Sequence, residues 1–150
     1  MAVAHRPAEL SELLCFDLYA ASRAVTSFYR PLLADLGLTY PQYLVLVVLW
    51  RERTCTVKQL STALKLDYGT LTPLLQRLEA NGLITRERRR DDERSVAVAP
   101  SADGLAMKRR ARHIPDLIRA AVGLDDDQIA TLQTTLQSLT AAVLSRDGGR

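Results

Sequence analysis

The sequence predicts a mainly helical fold with one small β-hairpin, a wing, on its basic centre. Three observations carry this expectation. A Thr or Asp is followed by Gln three residues later at Thr39/Gln42, Thr56/Gln59 and Asp125/Gln128. That spacing is the reciprocal capping box, which satisfies free amides at a helix start. Near both ends of the chain, apolar residues recur at alternating steps of three and four, the period of one buried helix stripe. Two short β-prone segments, 83–85 and 95–99, bracket residues 86–94, all nine of which are charged. Strand, charged turn, strand is a hairpin pattern.

The elements follow in chain order. A first helix is expected from about Pro7 to Leu36, with Leu14, Leu18, Ala21, Val25, Phe28 and Leu32 as its stripe. Pro31 should kink or restart it, because proline has no amide to donate and its ring crowds the preceding turn. Gly37 should stop it. A second helix, 40–51, starts at Thr39, with Leu38 and Tyr43 where a hydrophobic staple would close. A third, 57–64, starts at Thr56, between Cys55 and Leu60. Lys65-Leu66 then turns tightly into a fourth helix, 68–81, capped by Asp67 and ended by Asn81-Gly82. Pro73 stands where an amide would bond the Gly69 carbonyl, so this helix is expected to be irregular in its first turns. The hairpin takes 83–99. Ser101 caps a helix over 102–122, kinked at Pro115. The last helix, 126–145, carries Ile129, Leu132, Leu136, Leu139 and Val143. The two terminal stripes require packed partners, and spacing does not say whether those partners lie in the same chain.

With 150 residues, 47% apolar and 25% charged, the chain suits one soluble protomer. No apolar run approaches the ~20 residues that cross a bilayer, so no membrane partner is expected. Residues 1–6 lack an export pattern, which predicts a cytoplasmic protein whose Cys15 and Cys55 are reduced. His5 and His113 are too few for a zinc site, and no glycine loop cradles phosphate. No cofactor or metal is expected, and most enzyme classes with short signatures are excluded. Charge is uneven: residues 51–112 carry 14 basic and 8 acidic groups, against 3 and 4 before them and 3 and 5 after them. A basic module in a small cytosolic chain points to a polyanion, most often nucleic acid.

That module reads helix, helix, helix, hairpin, which is a winged helix-turn-helix. The second of two tightly joined helices enters a major groove. Its groove face would be Tyr68, Gly69, Thr70, Thr72 and Gln76. The hydroxyls and the amide can reach base edges or phosphates, and Gly69 lets backbone approach closely. Leu71, Leu74, Leu75 and Leu78 would face the core. Lys58, Arg77, Arg86 and Arg88 are candidate phosphate contacts. Arg94 at the wing tip is the candidate for a narrow minor groove, where negative potential is focused, with Asp92 placed to hold it.

Taken together, these residues resemble the MarR family of winged-helix repressors, and within it the organic-hydroperoxide-sensing branch, OhrR. The resemblance spans roughly residues 10–145. It rests on residues 14–23 around Cys15, Tyr29-Arg30-Pro31-Leu32-Leu33, residues 38–44 with Tyr40, residues 66–75, and Asp92-Glu93-Arg94. It implies a homodimer formed through helices within 7–36 and 102–145, with the DNA-binding module over 40–99. It implies two recognition helices on a pseudo-palindromic double-stranded DNA operator. It also implies that an organic hydroperoxide oxidises Cys15. Two tyrosines of the partner subunit bond the reduced sulfur in this branch. Their matches here are Tyr29 and Tyr40, with Tyr19 as a third pocket member. Oxidation breaks the arrangement and DNA is released.

The residue types suit that chemistry. The thiolate attacks a peroxide, and phenolic O–H donors stabilise the anion. Phe16 and Leu14 would favour an alkyl or lipid hydroperoxide over hydrogen peroxide. The first product, a sulfenic acid, can be trapped by a small thiol as a mixed disulfide. The chain has no resolving cysteine in its C-terminal helices, so it resembles the single-cysteine type, and Cys55 reads as an apolar staple residue. Three other functions fit parts of the sequence. A MarR-type repressor governed by a non-covalent phenolic ligand would leave Cys15 structural and survive Cys15→Ser. A thiol-dependent peroxidase would need multiple turnovers. An architectural DNA binder would show no preference for a palindrome.

Overall fold

The computed structural model describes residues 9–90 and 92–148, the side chains of 92–94 excepted. After a 3-10 turn at Leu10–Glu12 come α1 (Leu14–Ala34), α2 (Tyr40–Glu52), β1 (Cys55–Thr56), α3 (Val57–Leu64) and α4 (Tyr68–Ala80). Then come β2 (Ile84–Arg89), β3 (Asp92–Pro100), α5 (Ala102–Ala111), α6 (Ile114–Val122) and α7 (Asp126–Asp147). The chain divides into two compact units, Met1–Ile114 and Pro115–Arg150.

In the first unit, α2, α3 and α4 pack on an antiparallel sheet of order β1-β3-β2. Leu46, Leu49, Leu60, Leu71, Leu75, Leu78 and Val98 are fully buried there. All three capping boxes form, at Thr39/Gln42, Thr56/Gln59 and Asp125/Gln128, and Ser101 caps α5 by accepting from the Gly104 amide at 3.1 Å. Gly37 and Gly82 take positive φ (+68° and +74°) at the predicted helix stops, a conformation that carries a steric penalty for residues with a Cβ. β2 and β3 form the hairpin, with Arg86 opposite Val98 and a register shift between Arg88 and Arg89.

Several expectations need correction. The first helix begins at Leu14, not Pro7: Leu13 is extended (φ −94°, ψ 106°) and offers no side-chain cap. Pro7 itself lies outside the described residues. Pro31 lies inside α1, three residues before its last residue Ala34, and Pro73 lies inside α4, which bears neither for nor against a kink at the first or irregular turns at the second. Gly69, whose carbonyl Pro73 cannot bond, is exposed, so water can satisfy that carbonyl. The 102–122 helix is two helices, α5 and α6, parted at Arg112 and His113. Pro115 has no amide to donate to the Ala111 carbonyl and its ring would crowd that carbonyl, so a helix running through from Ala111 is disfavoured, while proline is tolerated in the first turn of α6, where Pro115 is the second residue. The strand β1 was not anticipated; two residues carry no periodic signal, and only the pairing of Cys55 with Val98 and Thr56 with Ala97 defines it.

The predicted apolar stripes are partly uncovered in the single chain. Leu14, Val25 and Phe28 of the α1 stripe are exposed, with Phe16 and Tyr19 beside them; in the α7 stripe Leu132 and Val143 are exposed, with Leu144 beside them, while Ile129, Leu136 and Leu139 are half-buried. Among the described residues, no helix is long and apolar enough to cross a membrane, and no cluster of three His, Cys, Asp or Glu groups could hold a metal.

Candidate functional site

The turn between α3 and α4 is locked from both sides. Lys65 adopts the left-handed conformation (φ +54°). The Leu66 amide donates to the Ser61 carbonyl at 3.1 Å, and the Ser61 hydroxyl donates back to the Leu66 carbonyl. Asp67 then caps α4, accepting from the Thr70 amide at 2.7 Å. That bond holds the Asp67 carboxyl below the usual carboxylate range. Leu71, Leu75 and Leu78 are buried and Leu74 is half-buried, so one face of α4 is fixed to the core.

The opposite face carries the predicted groove residues. Tyr68 is 54% exposed, and Gly69, Thr70, Thr72, Gln76 and Arg77 are exposed. A Cβ at Gly69 would meet only Asp67 Oδ1, at an ordinary 3.4 Å. The chain's own packing therefore does not demand glycine there. Lys58 is exposed in the first turn of α3, and Arg88 is exposed on β2. Arg86 differs. Its Nη2 donates to Glu79 Oε1 of α4 at 3.0 Å, and its side chain is only 25% exposed. Asp92 and Arg94 lie in β3 by backbone, and their side chains fall outside the described residues.

The predicted redox residues lie on α1 and α2. Cys15 is exposed in the first turn of α1. Tyr19 follows one helical turn later, its ring covered by the Arg23 guanidinium at 5.6 Å. Tyr29 lies fourteen residues beyond Cys15 on the same helix, which at 1.5 Å per residue is roughly 21 Å. Tyr29 instead meets Tyr40, at 4.6 Å between ring centroids, and Tyr43 at 5.9 Å; Tyr43 continues to Trp50 at 6.1 Å. Burial, then the neighbouring Tyr40 and Tyr43, push the Tyr29 phenol up to about 12. Burial raises Tyr40 as well, and burial with Tyr40 raises Tyr43. All three hydroxyls thus remain proton donors well above neutral pH. The structure brings Tyr29 and Tyr40 together and does not bring them to the Cys15 of their own chain. Sequence reasoning missed Tyr43 as part of the cluster; the available signal was an aromatic residue one turn after Tyr40. Cys55 is 5% exposed in β1, and burial together with Glu52 pushes its thiol up.

Comparison with known proteins agrees with this architecture. The MarR family pattern matches residues 38–96. Over 131 residues the chain is 46% identical to the organic hydroperoxide resistance transcriptional regulator of Bacillus subtilis (strain 168), covering 87% of this chain and 89% of that one. It is similar to AbfR of Staphylococcus epidermidis in its reduced, DNA-bound structure, with TM-score 0.76, 31% identity and coverage of 89% and 94%. The disulfide-formed AbfR structure matches with TM-score 0.60, 34% identity and coverage of 87% and 92%. A helix-turn-helix with its wing, seen in relatives this similar along nearly their whole lengths, makes the chain a member of the MarR family, a transcription regulator and not an enzyme.

Proposed function

We propose that this regulator is a repressor that holds a pseudo-palindromic DNA operator as a homodimer and releases it when an organic hydroperoxide oxidises Cys15. One observation carries the reading. Cys15 is exposed at one end of α1; Tyr29 lies about 21 Å further along the same helix, where its ring packs on Tyr40 at the start of α2 and both phenols keep their protons. The pair is too far from its own sulfur and fits the sulfur of a second copy, as in the branch the sequence resembles. The exposed apolar residues of α1 and α7 supply surface for such a pairing.

The chemistry balances. The Cys15 thiolate attacks the terminal peroxide oxygen, the O–O bond breaks, and the alkoxide leaves and takes a proton as the alcohol. Sulfur becomes a sulfenic acid. A small thiol then condenses with it, forming a mixed disulfide and releasing water. Cys55 does not serve as the resolving thiol in this reading, because it is buried and its raised pKa disfavours the thiolate. On DNA, Tyr68, Gly69, Thr70, Thr72 and Gln76 face the major groove. Lys58, Arg77 and Arg88 contact phosphates, and Arg94, held by Asp92, takes the minor groove.

The test is intact-mass and peptide analysis after one equivalent of cumene hydroperoxide, with and without a small thiol, on protein also assayed for DNA release. Oxygen or a thiol adduct on Cys15 alone, with release lost in Cys15→Ser, is the expected result. Release that persists in Cys15→Ser removes the sensing claim and leaves a regulator of another signal.

A further inference from the structure

The geometry points to Glu79 and Arg86 as positioning residues for DNA recognition: they brace the wing against the recognition helix α4, and Arg86 gives no charge to phosphate. This inference rests on the DNA-binding reading above and is independent of the thiol chemistry.

Register supplies the first argument. Arg86 pairs with Val98, which is fully buried, and residues opposite one another in an antiparallel ladder share a face. Alternation along β2 places Ile84, 2% exposed, on that same inner face, with Thr85 and Glu87 exposed on the other. Arg86 therefore leaves the sheet on the core side, with its stem laid along the edge of the core. Its guanidinium ends on Glu79, in the last turn of α4, through a hydrogen-bonded ion pair at 3.0 Å. The pair draws the Glu79 carboxyl below the ordinary carboxylate range.

Burial supplies the second argument. Among the described residues, Arg86 Nε is buried without a hydrogen-bond partner. A donor left in that state costs free energy, and a side chain serving only to reach DNA would not be held there. The cost is understandable if the guanidinium has a fixed structural task. Position supplies the third. β1 braces β3 at Val98 and Ala97, and the Glu79–Arg86 pair braces β2 at the same level. Beyond that level the hairpin runs on to Arg89, roughly 10 Å further at the strand rise. A small rotation at the brace would therefore be amplified where Asp92 and Arg94 are to meet DNA.

The experiment measures binding of the reduced full-length protein to a duplex that the wild type has selected from random sequence, and to a non-specific duplex, across a salt series. The variants are Glu79→Gln, Arg86→Gln, the charge swap Glu79→Arg with Arg86→Glu, and Lys58→Ala as the phosphate comparator. Thermal melts confirm that each is folded at the assay temperature. A brace predicts that Glu79→Gln and Arg86→Gln each weaken selected-sequence binding about three- to fivefold. It predicts little change on non-specific duplex and an unchanged slope of log affinity against log salt. The charge swap, which rebuilds the pair with the same net charge, recovers most of the loss. Lys58→Ala, in contrast, weakens both duplexes and flattens the slope by about 1. If Arg86 contacts phosphate, Glu79→Gln frees the guanidinium, removes a repelling charge and binds as tightly as wild type or tighter. That result, or a flattened slope in Arg86→Gln, overturns the proposal. Failure of the DNA-binding reading itself would look different, since the wild type would then select no sequence.

Discussion

Tyr29 is a phenol that keeps its proton. Its ring packs against Tyr40 and Tyr43, and its pKa is pushed up to about 12 by burial first and its neighbours second. Under the proposed mechanism it donates to the Cys15 sulfur of the partner subunit. Tyr29→Phe retains the ring and deletes the donor. A hydrogen bond to a charged acceptor is worth ~1.5–3 kcal/mol, so the variant should react with cumene hydroperoxide about tenfold more slowly or worse, with reduced-state DNA affinity unchanged. The same residue predicts an alkaline effect. A folded-state pKa above the unfolded value near 10 means that Tyr29's contribution to stability is intact below pH 10 and is lost as pH rises towards 12. Urea melts at pH 9 and pH 11 should show Tyr29→Phe losing less stability than wild type between them. An equal loss would place the alkaline sensitivity elsewhere. At this scale the sequence was legible only in part. Cys15, Tyr29 and Tyr40 stood out through family resemblance, because tyrosines roughly 21 Å from a cysteine carry no local signal. Tyr43 was hidden by its second role at a helix-start staple position.

Among the elements, those with cap chemistry were legible and those defined by tertiary contact were not. Thr39, Thr56, Asp67, Ser101 and Asp125 each cap a helix because their side-chain oxygens meet the amide three residues ahead, a purely local event. The strand β1 exists only through its pairing with β3, and the break between α5 and α6 reflects Pro115 acting on residues before it. The base of the wing is likewise a tertiary construction. Trp50 donates from Nε1 to the Gly104 carbonyl at 2.8 Å, and a Cβ on Gly104 would come within 2.0 Å of the Leu83 carbonyl oxygen. Backbone stands in the way, so Gly104→Ala forces α5 away from the start of the wing. Overpacking of this kind costs ~1–3 kcal/mol, and a chain of this size loses about 2–4 °C of melting temperature per kcal/mol. A fall of several degrees with weakened operator binding is expected by calorimetry and anisotropy. An unchanged melting temperature would mean that the junction relaxes freely.

At the level of the whole molecule, the exposed apolar residues of the single chain become informative. Val143 is 54% exposed and Leu144 51% exposed on α7. A soluble chain does not usually leave such residues contiguous without an occupant, and the operator-bound homodimer proposed here supplies one. Val143→Asp introduces a charge at a site where a solitary chain would tolerate it, because the position already faces solvent. Within a dimer interface the same carboxylate would be buried without a partner, at a cost of several kcal/mol. Wild-type melting temperature should therefore rise with protein concentration, as expected when association stabilises the folded state, and the variant should lose that dependence. Sedimentation should show the variant dissociating at concentrations where wild type remains paired. Operator affinity should fall far more than affinity for a single half-site, because two recognition helices about 34 Å apart act together only while the chains are joined. A variant that sediments as wild type and holds the full operator equally well would place the interface away from α7 and leave its apolar stripe to another partner.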